Sequence, residues 1–245
     1  MRRSWRRRSW RSRMQRCVPA WPRCVLRGGL KRMRCMDFGE PGGIHLACRL
    51  LADGEAMILP TETLYGFSAV ATSKAGRRRI AAWKGIESPR SFLALLPCFD
   101  ALLSYLTPGQ DPRALDFLRR LWPAPLTAVL RVQEAQPWGE TVESGATAAF
   151  RVPAHPRLRA LLARLGAAVL STSVNRTGAA ALLREGEIDA VFGSETDLWF
   201  CRDRGLETRA PGPGSTLVDC TSWPPRLLRR GLFDLDASLG TTPVG

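Results

Sequence analysis

From residue 43 onward the apolar positions alternate between helical and strand-like spacing. The stretch IHLACRLLADG (44–54) sets Ile44, Ala47 and Leu51 on one helical face and ends in glycine, predicting a helix with a glycine stop. EAMILP is a short apolar run halted at Pro60, a buried strand. TSKAGRRRIAAWKG opens on a Ser/Thr cap and closes at Gly85, so Lys84 falls at a helix C-terminus. SFLALLP predicts a strand, and DPRALDFLRRLW a helix with Asp111 as cap and Pro112 in its first turn. PLTAVLRV and ATAAFRVP follow as strands, HPRLRALLARLG as a helix, AAVLSTS as a strand running into polar residues, and DLWF, STLVDC and RLLRRG as late strands. Such alternation, without repeats or an interdomain linker, predicts one α/β domain over residues 36–245 built on a mixed, largely covered sheet.

Charge divides the chain in two. Residues 1–35 hold 13 of the 36 Lys and Arg and no acid, leaving 23 basic against 22 acidic residues in the body. The formal +14 therefore belongs to the head and says little about what the body binds. The head lacks apolar periodicity and is too charged for a signal peptide. Three readings stay open for it: sequence upstream of a true start at Met33 or Met36, an Arg-rich transit peptide, or a basic arm for nucleic acid. The seven cysteines form no C-x-x-C pair and no apolar run approaches a membrane span, so reduced thiols, a cytoplasmic location and no membrane partner are expected.

The candidate chemistry lies where strands end. Thr61, Thr63 and Tyr65 follow one strand; Thr147 and Arg151 lie on another; Ser171, Thr172, Ser173 and Asn175 close a third; Ser215 and Thr216 open a fourth; Arg229 and Arg230 close the last. Ligands of α/β sheets collect at strand ends, and hydroxyls with guanidinium forks suit a ligand carrying several acidic groups. Each piece has a plainer reading. The threonines and STSVN also read as local turn capping, and Arg151 as the partner of a carboxylate on a neighbouring strand. A serine nucleophile would need a base, and the body has only His45 and His155, both placed for capping or packing. No phosphate-loop, dinucleotide or zinc-protease motif occurs, and no paired carboxylates stand out. Positioning and charge neutralisation are the chemistry left.

Six segments, PTETLYGFSA (60–69), KG (84–85), LWPAPLTAVL (121–130), FRVPAHP (150–156), STSVNRTG (171–178) and STLVDCT…LLRRG (215–231), occur in an order and spacing that resemble the YrdC/TsaC family of threonylcarbamoyl-adenylate synthases. The resemblance implies a single twisted YrdC-like domain with a concave ligand cleft. It implies condensation of L-threonine, bicarbonate and ATP to threonylcarbamoyl-AMP and pyrophosphate for the t6A37 modification of tRNA. Mg²⁺ would accompany the ATP, no metal would be held by protein side chains, and tRNA or a t6A-transferase would be a partner. By position, Thr63, Arg151, Ser171 and Ser215 resemble the family's threonine-binding residues, and Lys84, Thr147, Ser173, Asn175 and Arg229 its ATP-side residues. The family's usual K-G-R is here KGIESPRSF, so Ile86 stands where an arginine is expected and Arg90 is the nearest cation to replace it. Leu95 replaces a polar side chain of some members, and the extra C-terminal domain of longer members is absent from this sequence. A divergent relative that binds RNA or nucleotide without this synthesis is the alternative; it would show an extended basic surface with exposed aromatics rather than a small pocket.

Overall fold

The computed structural model describes residues 33–87, 92–133, 140–142, 145–204 and 212–239. Strands β1 (Arg34–Asp37), β2 (Ala56–Pro60), β3 (Tyr65–Val70), β4 (Leu93–Leu95), β5 (Leu126–Arg131), β6 (Glu140–Val142), β7 (Gly145–Arg151), β8 (Val169–Ser173), β9 (Trp199–Arg202), β10 (Thr216–Asp219) and β11 (Arg226–Arg229) form one mixed sheet. Its order is β1-β9-β2-β3-β8-β4-β7-β5-β10-β11, with β6 paired to β7. Helices are α1 (Gly43–Ala52), α2 (Lys74–Lys84), α3 (Phe99–Leu102), α4 (Pro112–Leu121), α5 (Pro156–Leu165), α6 (Glu185–Phe192) and α7 (Leu235–Leu239).

Local chemistry sets the helix ends. Ser73 accepts a hydrogen bond from the Gly76 N–H and Gly85 takes a left-handed φ of 72° past the end of α2. Asp111 accepts from the Arg113 N–H before Pro112. His155 Nδ1 accepts from the Leu158 N–H at 3.1 Å, so this histidine is the cap of α5, in line with its expected turn role.

Strand alternation then sorts side chains between two cores. Ala56 and Ile58 of β2, with Tyr65, Phe67 and Ala69 of β3, face one side and pack with Ile80 and Trp83 of α2, Phe117 and Leu118 of α4, and Ile188 and Phe192 of α6. Met57, Leu59 and Val70 face the other side and pack with Ala47 and Leu51 of α1 and Leu158, Leu161 and Leu162 of α5. The second helical layer stops short. Past Val169 of β8 and Leu95 of β4, the same sheet face is left open, and this opening is the cleft.

Two features depart from the expected outline. The sheet begins at Arg34 rather than at residue 36: Arg34 and Cys35 pair in parallel with Trp199 and Phe200, the Arg34 guanidinium lies 5.3 Å from the Trp199 ring centre, and Met33 is buried. The rest of the basic head, residues 1–32, lies outside the described residues. Secondly, YGFSAV is a central strand, β3, paired antiparallel with both β2 and β8. Its Gly and Ser lie on the cleft-side face, where small residues are required, and they mask the strand pattern.

Candidate active site

The cleft has a volume of about 540 Å³ and is lined by residues from several segments of the chain. Thr61, Thr63 and Leu64 come from the β2–β3 turn, Ser171 and Ser173 from β8, Leu93 and Leu95 from β4, Ala149 and Arg151 from β7, Thr127 from β5, Ser215 and Leu217 from β10 and its approach, and Arg229 and Arg230 from the end of β11. Register explains the gathering. Leu93 and Leu95 pair with Ala149 and Arg151, Leu93 also pairs with Ser171, and Leu217 pairs with Thr127. Paired residues share a face, so an apolar floor is edged by hydroxyls and guanidiniums.

The turn after β2 is tied by its own side chains. Thr61 Oγ1 donates to the Leu64 carbonyl at 2.7 Å and accepts from the Thr63 and Leu64 N–H groups, each at 3.1 Å. Thr63 Oγ1 lies 2.9 Å from Thr61 Oγ1 and accepts from Arg151 Nη1 at 3.2 Å. Local capping and a cleft-facing hydroxyl are thus two uses of the same turn: Thr61 does the first, Thr63 the second.

Arg151 is 2 % exposed and in direct ion contact with Glu62, the residue between the two threonines. The carboxylate partner expected for this arginine exists, supplied by a turn rather than a neighbouring strand. Burial lowers the Arg151 pKa; Glu62 opposes the shift and nearby Arg229 adds to it. Its Nε is buried without a hydrogen-bond partner, which leaves donor capacity in the cleft wall.

Ser215 Oγ and Thr127 Oγ1 lie 2.8 Å apart, both buried. Arg229 Nη2 donates to the Ser215 carbonyl at 3.1 Å, holding the β11 end over the cleft. Gly231 allows the approach, since a Cβ there would sit 2.3 Å from the Thr216 nitrogen. Ser171 has its own glycine. A Cβ on Gly66 would fall 2.3 Å from Ser171 Oγ.

Lys84 and Asn175 stand behind Ser173. Lys84 Nζ donates to the Ser173 carbonyl at 3.1 Å, the Asn175 carbonyl at 3.3 Å and Asn175 Oδ1 at 2.7 Å. Asn175 Oδ1 also accepts from Ser173 Oγ at 3.0 Å, and Nδ2 donates to the Ala179 carbonyl at 2.6 Å. An ammonium only donates, so these contacts fix which end of the amide carries oxygen. Burial lowers the Lys84 pKa. Thr147 shares the β7 face of Arg151 but sits four residues away, roughly 13 Å along an extended strand. Arg90, expected to stand in for the arginine replaced by Ile86, lies outside the described residues.

The structure therefore gathers Thr63, Arg151, Ser171, Ser173, Ser215 and Arg229 on one cleft, with Lys84 and Asn175 bracing Ser173 from behind. Neither histidine serves a nucleophile: His45 Nδ1 contacts Arg164, and His155 caps α5 while bonding Asp203. Sequence reasoning missed Glu62, Thr127 and Asp203. Thr127 left a signal, a lone hydroxyl inside the apolar run LTAVL.

Comparison with known proteins decides the family. The Sua5/YciO/YrdC family model, described as "Telomere recombination", matches residues 49–231. The chain belongs to this family. The threonylcarbamoyl-AMP synthase of Pyrococcus abyssi is 30 % identical over 199 residues, which cover 80 % of this chain and 56 % of that protein. The chain thus spans a little over half the length of that relative. The threonylcarbamoyl-AMP synthase of Nitrosococcus oceani is 32 % identical over 155 residues, 63 % of this chain and 82 % of the relative. Among solved structures, P. abyssi Sua5 complexed with L-threonine matches with a TM-score of 0.71 and 25 % identity, over 84 % of this chain and 61 % of that one. Escherichia coli YciO matches with a TM-score of 0.66 over 82 % and 96 % of the two chains at 22 % identity, a likeness of fold. The mixed α/β sheet of this Sua5/YciO/YrdC domain is the expected one. Among the described residues no helix is long and apolar enough to cross a membrane.

Proposed function

We propose that the chain is a threonylcarbamoyl-AMP synthase that condenses L-threonine, bicarbonate and ATP, releasing pyrophosphate, and that its product feeds t6A37 formation on tRNA through a transferase partner. One observation carries the reading: Thr63, Arg151, Ser171 and Ser215 converge on a single cleft with Arg229 at its rim. The names of the relatives and the L-threonine held by P. abyssi Sua5 support it.

The chemistry suits a site of hydroxyls and guanidiniums. The threonine amine forms the C–N bond to the bicarbonate carbon, with loss of water, and a carbamate oxygen then displaces pyrophosphate from the α-phosphate. The reactants supply both nucleophiles, so the protein need only hold anions together and neutralise their charge. Arg151 would take the amino-acid carboxylate and Arg229 the phosphates, with Ser173 on the nucleotide side. Mg²⁺ would arrive with ATP, coordinated chiefly by phosphate oxygens and water.

Among the described residues no exposed aromatic platform supports RNA binding without synthesis. The large hydrophobic residues exposed among the described residues are Leu103, Val191, Leu228 and Leu232, none of them aromatic. The test incubates the protein with ATP, Mg²⁺, bicarbonate and L-threonine and follows threonylcarbamoyl-AMP by mass spectrometry. Product that requires both threonine and bicarbonate supports the synthase. A folded protein that binds ATP yet makes none even as Ile86→Arg overturns it in favour of a nucleotide-binding relative.

A further inference from the structure

The reaction above leaves Thr127 without a task. Along β5 the side chains of Leu126, Ala128 and Leu130 enter the helix-covered core, which turns Thr127 to the cleft face. Valine has nearly the same shape and would fill this place without a polar atom to desolvate. A hydroxyl only 1 % exposed must be satisfied, and Ser215 Oγ, 2.8 Å away on the cleft wall, satisfies it.

The partner is as confined as the threonine. Strand β10 pairs in parallel with β5, and the Thr216 N–H donates to the Pro125 carbonyl at 3.0 Å. Arg229 Nη2 holds the Ser215 carbonyl from the other side. These bonds fix the Ser215 backbone and leave its hydroxyl free to rotate. Two hydroxyls in contact share one of their two protons, so one proton is left for the cleft. Where Thr127 donates, the free proton belongs to Ser215; where Ser215 donates, Ser215 offers the cleft only lone pairs. A carboxylate accepts and never donates, so it binds Ser215 only in the first arrangement. We propose that Thr127 is a positioning residue for the amino-acid substrate: its hydroxyl donates to Ser215 Oγ and turns the Ser215 proton onto a carboxylate oxygen of the ligand. The proposal rests on the reading of Ser215 as an L-threonine contact.

Titration calorimetry on the full chain reads the L-threonine affinity of Thr127 and Ser215 variants. Thr127→Val keeps the shape and removes the hydroxyl; its Kd should rise about 3- to 10-fold, with ATP affinity unchanged. Thr127→Ser keeps the donor and should bind within about twofold of the wild-type protein. In a Ser215→Ala background, adding Thr127→Val should cost no further affinity, because the hydroxyl it orients is already gone. Wild-type affinity in Thr127→Val overturns the proposal. So does an equal loss with and without the Ser215 hydroxyl, which would make Thr127 a direct ligand contact. Parallel losses for L-threonine and ATP that Thr127→Ser fails to rescue mark a distorted cleft and overturn it too. The loss should persist with 2,3-dihydroxybutanoate, which keeps the carboxylate and replaces the ammonium by a hydroxyl. A loss confined to L-threonine would put the Ser215 lone pairs on the ammonium and overturn the assigned direction. Should circular dichroism show Thr127→Val unfolded, Thr127→Ala takes its place with the same expected losses. A wild-type protein that binds no L-threonine overturns the functional reading itself, whereas L-threonine binding that ignores the Thr127 hydroxyl overturns only the role of Thr127.

Discussion

Gly66→Ala is the sharpest probe of how the sheet shapes the cleft. The added Cβ would stand 2.3 Å from Ser171 Oγ and 3.3 Å from the Thr172 carbonyl, but 3.7 Å from Ser171 Cβ. The carbonyl contact is tight but bearable; the hydroxyl contact is not. The strain is relieved when the Ser171 side chain rotates, which takes its hydroxyl off the cleft wall. Overpacking of this kind costs about 1–2 kcal/mol when one small side chain can yield. For a domain of this size that lowers Tm by roughly 2–8 °C. A hydrogen bond to a charged ligand contributes about 1.5–3 kcal/mol, so losing the Ser171 hydroxyl should raise the L-threonine Kd by about 10- to 100-fold. Calorimetry and thermal unfolding on Gly66→Ala, Ser171→Ala and the double variant separate the terms. Ser171→Ala should lose the same affinity, and adding Gly66→Ala to it should cost no further affinity, because only the 3.3 Å Thr172 carbonyl contact and the ordinary 3.7 Å contact remain and neither involves the hydroxyl. Full affinity in Gly66→Ala, or additive losses in the double variant, would refute the argument.

Three further outcomes follow from other contacts. Lys84→Met strips three acceptors of their donor, at a cost of about 2–4 kcal/mol and a Tm drop of roughly 5–15 °C; an unchanged Tm with lost ATP affinity would make Lys84 a phosphate ligand rather than a brace. Burial lowers the His155 pKa below its ordinary 6.5, despite the opposing pull of Asp203 and Glu62, so the unfolded chain takes up the proton first and stability falls as pH drops below about 6.5 toward the folded value. Urea unfolding at pH 7.5 and 5.5 should show a smaller loss in His155→Asn, which keeps a capping oxygen; equal losses would count against it. A chain begun at Met33 should unfold at the same temperature as the full chain, whereas one begun at Met36 loses buried Met33 and two β1 pairings, about 2 kcal/mol or more and several degrees in differential scanning calorimetry.

What the sequence disclosed and what it concealed divide by range along the chain. Ser73 with Gly85, Asp111 with Pro112, and His155 with Pro156 and Gly166 mark helix ends through contacts within a few residues, and each is visible in the string of letters. The strand-end hydroxyls were legible for the same reason. Strand β3 was not, because its cleft-side positions Gly66 and Ser68 are small to make room for Ser171, a residue over a hundred positions away. Strand β1 was hidden among arginines, since what holds Arg34 is the distant Trp199.

The same division decides how the site residues are to be understood. Lys84 announces itself as a cation at a helix end, yet its three acceptors lie near residue 175, so its role depends on a loop the local pattern cannot locate. Glu62 sits in plain view between two threonines and gains meaning only when β7 brings Arg151 to it. Local pattern picks out the donors that meet a ligand. The residues that fix the charge and orientation of those donors are brought to them by sheet register and by loops distant in the chain.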